Sequence, residues 1–284
     1  MKTATVLSAL LVSLLGVVAS PTKAASTWDL TSCLSGCSTG SVSAGNKATF
    51  NGSNSGGDLI VSAWSSGKTD GSSATYFAAA QLKNWGTSGW GVIADPLGTS
   101  QESDTTGPHA MDNRYGVDMI LLSFDELIAL NSVKIGWNGT DYPTGSYTDS
   151  DISVLRYTGS GDPVITGTRL GADASTSTLL NSGWSLVGNY ANVGSLGGNT
   201  VNFNTGSSAV SSSWWLVSAY NTQFCTGSTC TTTNLNNSND AVKLLQVAGN
   251  VQLPPPPGVP EPASMVLLSV GLLGMVAIRR RRQT

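Results

Sequence analysis

The chain has 284 residues, of which only 11% are charged and 33 are glycine. Typical soluble domains are roughly a quarter charged, so a coiled coil, a basic nucleic-acid-binding domain and a charged disordered tail are excluded. Eight Trp and seven Tyr supply rings for a packed core, which excludes full disorder.

The N-terminus predicts a secretory signal peptide over residues 1–24. Lys2 gives a positive start, and residues 6–19 form an apolar run too short to span as a membrane helix. Small residues follow at the cleavage positions, Thr22 at −3 and Ala24 at −1. Val18 and Ser20 offer a second pair, disfavoured by the Pro21 behind it; the rival reading is a buried N-terminal helix. No Cys follows the run directly, so lipid attachment is not expected. Between this segment and the basic tail, residues 25–258 hold about 8 basic and 16 acidic side chains, a formal charge of about −8. Such a surface repels nucleic acid and anionic lipid.

The middle alternates short apolar runs with Gly, Ser, Asn, Asp and Thr clusters, and no stretch keeps helical periodicity for three turns. Strands are predicted over residues 59–64, 75–82, 90–94, 117–124, 127–137, 152–157, 184–187, 200–203, 213–220 and 241–253, with a turn at Asp125-Glu126. Val133, Ile135 and Trp137 recur at period two, as on a half-buried strand. Helix is expected only at the two ends, with a weaker signal over residues 77–82. Many short strands joined by Gly-rich turns predict a mainly β ectodomain over residues 25–252, an antiparallel, jelly-roll-like β-sandwich. Residues 253–259 are the one clear linker.

The four cysteines form two close pairs, Cys33/Cys37 and Cys225/Cys230. Export permits disulfides. Two local bridges are favoured, because each pair brackets a short Gly-containing turn; bridges between the pairs are the alternative. A zinc site on the same sulfurs is a weaker rival.

Catalytic signatures are sparse. His109 is the single histidine, so a Ser-His-Asp hydrolase would have to use it. The chain has no G-x-S-x-G elbow, no HExxH and no P-loop. Gly89-Trp90-Gly91 imitates part of a dinucleotide fingerprint without a βαβ unit around it. No enzyme activity and no catalytic cofactor are expected. Asp112, Asn113 and Asp118 could ligate a structural Ca²⁺ through oxygen, against the commoner reading of Asx turn chemistry. Trp85, Trp90, Trp184 and Trp214 are candidates to stack on sugars, while Trp137 reads as core. Trp214 and Trp215 point to opposite faces of one strand, so one of the pair is a candidate for exposure to a glycan ligand.

The C-terminus carries the most specific pattern: Pro254 to Pro257, then Pro260-Glu261-Pro262, an uncharged stretch over residues 263–278, and Arg279, Arg280, Arg281 and Arg282. As a helix, the uncharged stretch would be roughly 24 Å long, near the ~30 Å hydrocarbon core. Four arginines are expected to stay cytoplasmic and leave the upstream chain outside.

These last 26 residues resemble a PEP-CTERM sorting signal, the mark of bacterial exosortase substrates in Gram-negative species that make extracellular polysaccharide. The resemblance implies that a membrane-embedded exosortase recognises Pro260, Glu261 and Pro262, cuts near them, and passes the ectodomain to the cell surface or the medium. Residues 109–159 are also similar to a recurring ectodomain of exosortase-dependent surface proteins. Asp112-Asn113, Phe124-Asp125, Ile135-Gly136-Trp137 and residues 149–155 carry that likeness, which implies no known chemistry. The expected function is therefore that of an exported surface or extracellular-matrix protein. Its expected partners are the Sec translocon, signal peptidase, exosortase and, transiently, the inner membrane. A module holding matrix polysaccharide is the alternative; an extracellular hydrolase or an ice-binding protein ranks below it, Thr231-Thr232-Thr233 being too short an array for an ice face.

Overall fold

The computed structural model describes residues 22–37, 46–66, 76–94, 109–113, 116–139, 150–169, 178–194, 200–224, 234–235 and 240–253. Residues 1–21 of the expected signal segment, Cys225, Cys230, Thr231 to Thr233, the sorting motif, the 263–278 stretch and the arginine tail lie outside them, while Thr22 to Ala24 open the first strand. A compact body spans Thr22–Gln252.

The body is built of antiparallel strands. The first six are β1 (Thr22–Ser35), β2 (Lys47–Gly52), β3 (Asp58–Ser65), β4 (Ala78–Ala79), β5 (Gln81–Asn84) and β6 (Trp90–Ile93). Then come β7 (Met111–Asp112), β8 (Asp118–Asn138), β9 (Ile152–Tyr157), β10 (Trp184–Tyr190), β11 (Thr200–Asn202), β12 (Ser212–Ala219) and β13 (Ala241–Gln252). Among the described residues the only helical pieces are short 3-10 turns, and none is long and apolar enough to cross a membrane. The weak helical signal at residues 77–82 is therefore corrected: Ala78–Ala79 and Gln81–Asn84 are strands, paired to β3 and β6.

One long strand organises the pairing. The first part of β8 lies between β3 and β12, and its second part between β13 and β11. Together with the β3–β2, β2–β1 and β1–β13 ladders, this closes a circuit of five strands through β8. The expected turn at Asp125-Glu126 is thus a continuous strand. The two carboxylates mark the place where β8 changes partners, and Asp125 Oδ2 accepts the Asp58 N–H at 3.2 Å. Beyond it the ladder slips: Ala248 pairs Ser132 but Gly249 pairs Leu130, leaving Asn131 as an extra residue. Such a bulge shifts the parity of a strand. Leu122, Phe124, Ile128 and Leu130 face the core at even positions, and Val133 and Ile135 take over at odd ones.

Three tryptophans fill the main core, each with its indole N–H satisfied. Trp28 packs edge-on against Phe124 at 4.7 Å and donates to Gly57 O. Trp90 packs edge-on against Phe50 and donates to Leu30 O at 2.7 Å. Trp215 donates to Ser212 O and Ile128 O, pinning β12 to β8 just past the partner change. Aromatic rings bury much area but require a partner for their polar tip. A second core holds Phe77, Met119, Leu155, Trp184 and Leu216 on the other side of the β9–β12 pair.

The Cys33–Cys37 disulfide is present at the end of β1. It removes the cross-pair alternative and the zinc reading for these two sulfurs.

Candidate functional site

Four places carry the residues singled out in the sequence. The first is the open end of β9 and β12. Tyr157 and Trp214 meet edge to face at 5.8 Å, and Tyr157 also contacts Trp184 at 5.3 Å. A groove of about 320 Å³ opens here, lined by Leu127, Arg156, Tyr157, Ser213 and Trp214 among others. A second groove of about 440 Å³, with Ser185, Asn204, Thr205 and Ser208, shares Arg156 with it. Asn204 holds the loop that walls this second groove. Its backbone is left-handed (φ 49°), and its carboxamide bonds Leu130 O and both the N–H and the carbonyl of Val210. Thr205, Ser208 and Ser213 line the grooves, and their hydroxyls have no partner among the described residues.

The tryptophan candidates separate clearly. Trp90 and Trp215 are wholly buried and Trp184 nearly so, which removes them as sugar platforms. Trp214 is half-buried and lines the groove; Trp215 is the inward member of that pair. Trp85 is 43% exposed.

Trp85 belongs to the second place, around His109 and Lys243. The His109 ring stacks on Trp85 at 5.7 Å with an interplanar angle of 11°. Lys243 Nζ lies 4.5 Å from the centroids of both Trp85 and Trp137. Burial pulls the Lys243 ammonium down to about 8. His109 is buried and backbone-strained (φ 46°), and its carbonyl is approached so closely by Gly91 that no side chain fits there. The glycines of the Gly89-Trp90-Gly91 run thus serve packing: a Cβ on Gly89 would meet Leu244 O at 2.6 Å. Trp137, read as core, is half-buried: it packs against the buried Ala110 and Ala241 and also meets Lys243.

The third place gathers buried carboxylates. Asp112 and Asp118 do meet: the Asp112 N–H reaches Asp118 Oδ2 at 3.4 Å. Asn113 turns elsewhere. Its Nδ2 donates to Asp240 Oδ2 at 2.6 Å and to Tyr220 O at 2.9 Å, and its Oδ1 accepts the Asp240 N–H. Asp240 Oδ1 accepts the Asp151 N–H, and Asp151 Oδ1 accepts the Asn192 N–H. The Asp112, Asn113 and Asp118 set is therefore divided between two contacts. Among the described residues no three His, Cys, Asp or Glu side chains are grouped to hold a metal ion. Asp240 is the residue that the sequence reading misses here; it stands 89 positions from Asp151, and no local pattern joins the two. The Tyr220 hydroxyl is pushed up by burial and then by the charges of Asp151 and Asp240.

The fourth place is where the body begins and ends. Thr22 pairs with Gln252 and Ala25 with Asn250, so the first and last strands meet in one antiparallel ladder.

No curated protein and no solved structure matches the chain. A family model for the PEP-CTERM protein-sorting motif matches residues 258–282. The match takes in Pro260-Glu261-Pro262, the uncharged stretch and all four arginines. The chain carries a PEP-CTERM sorting motif, which implies export and exosortase-dependent sorting to the cell surface or the extracellular space.

Proposed function

We propose that this protein is a surface or extracellular-matrix component that works by binding rather than catalysis. The sorting motif over residues 258–282 is the observation that carries the reading. The precursor enters the Sec translocon on residues 1–24 and loses them to signal peptidase. It then rests in the inner membrane on residues 263–278, with Arg279 to Arg282 cytoplasmic. Exosortase, recognising Pro260, Glu261 and Pro262, then releases or transfers the body. The body acts as a β-sandwich whose two layers share β8; strands that change layers at a bend are a known device of such packings. Against a Ser-His-Asp hydrolase stands the burial of His109, the one histidine, at 4% exposure.

The test is mass spectrometry of the exported protein with and without exosortase. Loss of residues 1–24 and of the tail after roughly Pro260, the second loss only with exosortase, is expected. An intact tail in both strains would refute processing.

A second reading, binding of matrix polysaccharide, is favoured by the paired grooves. Trp214 and Tyr157 supply ring faces and edges, while Thr205, Ser208 and Ser213 supply hydroxyls without protein partners among the described residues. A ring plus a few directed polar groups is how a concave site fixes a small polar ligand. Loss of glycan binding on Trp214→Ala, but not on Trp85→Ala, would support this site.

A further inference from the structure

Arg156 is the one charged side chain shared by the two grooves. It stands on β9 opposite Ser185 of β10 and Trp215 of β12, both neutral. Among the described residues its guanidinium has no ion pair and no hydrogen-bond partner. Two other cations of this body are engaged by aromatic rings: Arg169 lies over Tyr76 at 4.2 Å, and Lys243 lies against Trp85 and Trp137. A half-buried arginine whose five guanidinium donors are unspent is a fork for a carboxylate or similar oxyanion. We propose that the Arg156 grooves bind a glycan segment bearing a single anionic substituent, a uronate carboxylate, with the rest of the segment neutral; this rests on the polysaccharide reading above.

Charge selects the sparse anion over the dense one. The body carries about −8, so a polymer charged at every sugar is repelled at long range. One carboxylate on an otherwise neutral chain meets Arg156 without that penalty. The neutral hydroxyls and Trp214 favour a sugar over an acidic peptide, whose backbone has no ring face to place on an aromatic side chain.

The experiment is calorimetric titration of the full-length protein in neutral detergent with a xylo-oligosaccharide carrying one methylglucuronate and with the same oligosaccharide lacking it. The acidic form is expected to bind at least about tenfold more tightly, as a hydrogen bond to a charged group implies. Arg156→Gln should erase the difference and keep the weaker, neutral binding; Arg156→Lys should keep part of it. In the unmodified protein the preference should shrink as salt rises from about 50 mM to about 500 mM, a readout that does not depend on any variant folding. Equal binding of the two sugars, unchanged by Arg156→Gln, overturns the anion assignment and leaves the polysaccharide reading standing. Binding of neither overturns both. A hexaglutamate peptide that binds as tightly as the acidic sugar also overturns it, by making the grooves a general anion site.

Discussion

Lys243 offers a stability test with a defined pH window. Its ammonium is buried between Trp85 and Trp137, and burial brings it from 10.5 down to about 8 in the folded protein. A depressed folded value means that the unfolded chain holds the proton more tightly. Stability from this group is fully present above about 10.5 and is lost as pH falls through about 8. Each unit of pKa difference is about 1.4 kcal/mol. Between pH 7.5 and 9.5 the linkage relation gives a rise of about 2 kcal/mol in unfolding free energy. The two indole faces attract the ammonium and resist the depression, so this figure is an upper limit.

Urea unfolding at pH 7.5, 8.5 and 9.5 measures it. The natural protein should gain stability across the series, and Lys243→Met should not. Tyr190 does not confuse the window. Its hydroxyl is raised to about 12, so its contribution is complete below pH 10 and is lost only above it. Tyr220 is shifted in the same direction. A flat profile in the natural protein, or an equal slope in Lys243→Met, would refute the claim that burial outweighs the two ring contacts.

Two further outcomes follow from the packing. Trp215→Ala should cost about 3–5 kcal/mol, the usual toll for a large buried ring, since it empties the main core and frees Ile128 O; Trp214→Ala, half-buried at the groove, should cost clearly less in the same urea titration. Asp240→Ala removes the carboxylate to which Asn113 Nδ2 and the Asp151 N–H donate, at about 1–3 kcal/mol for a buried donor left unpaired, while Asp240→Asn should recover part of the loss in unfolding midpoint.

Legibility from sequence followed the distance over which each signal acts. Residues 152–157 form β9 as expected, because ISVLRY is an apolar run bounded by turn residues. β1 and β2 were missed. Their inward apolar residues are few, Trp28 and Leu30 in one and Ala48 and Phe50 in the other, and they alternate with Thr, Asp and Asn that read as loop. β8 was divided in two because Asp125 and Glu126 are turn formers, yet at a partner change they face solvent on a strand. The bulge at Asn131 has no local signature; it is set by the β13 register. The choice between Trp214 and Trp215 needed the neighbours, since alternation alone says only that one of them faces inward. The Arg156 grooves were invisible, because their walls come from β9, β10, the Asn204 loop and β12.

The ladder between the first and last strands also bears on how such a body tolerates losing both ends. β1 holds unbroken register with β13 from Ala25 to Asp29, and the irregularity falls between Thr22 and Ala25. A cut after Ala24 therefore removes only the Thr22 pairing and leaves the continuous ladder intact. At the other end β13 stops at Gln252, two residues before the proline run, where missing N–H groups could not extend the ladder. A cut near Pro260 falls beyond Gln252, the last residue of β13. The continuous ladder that closes the five-strand circuit thus begins at Ala25 and ends before Gln252, just inside the two expected processing points. The same geometry makes β13 indispensable, because it pairs with β1, β6, β7 and β8 together. The circuit cannot close until the last strand before the sorting motif is available, so the body completes its fold only when nearly all of the chain ahead of the motif is free to pair.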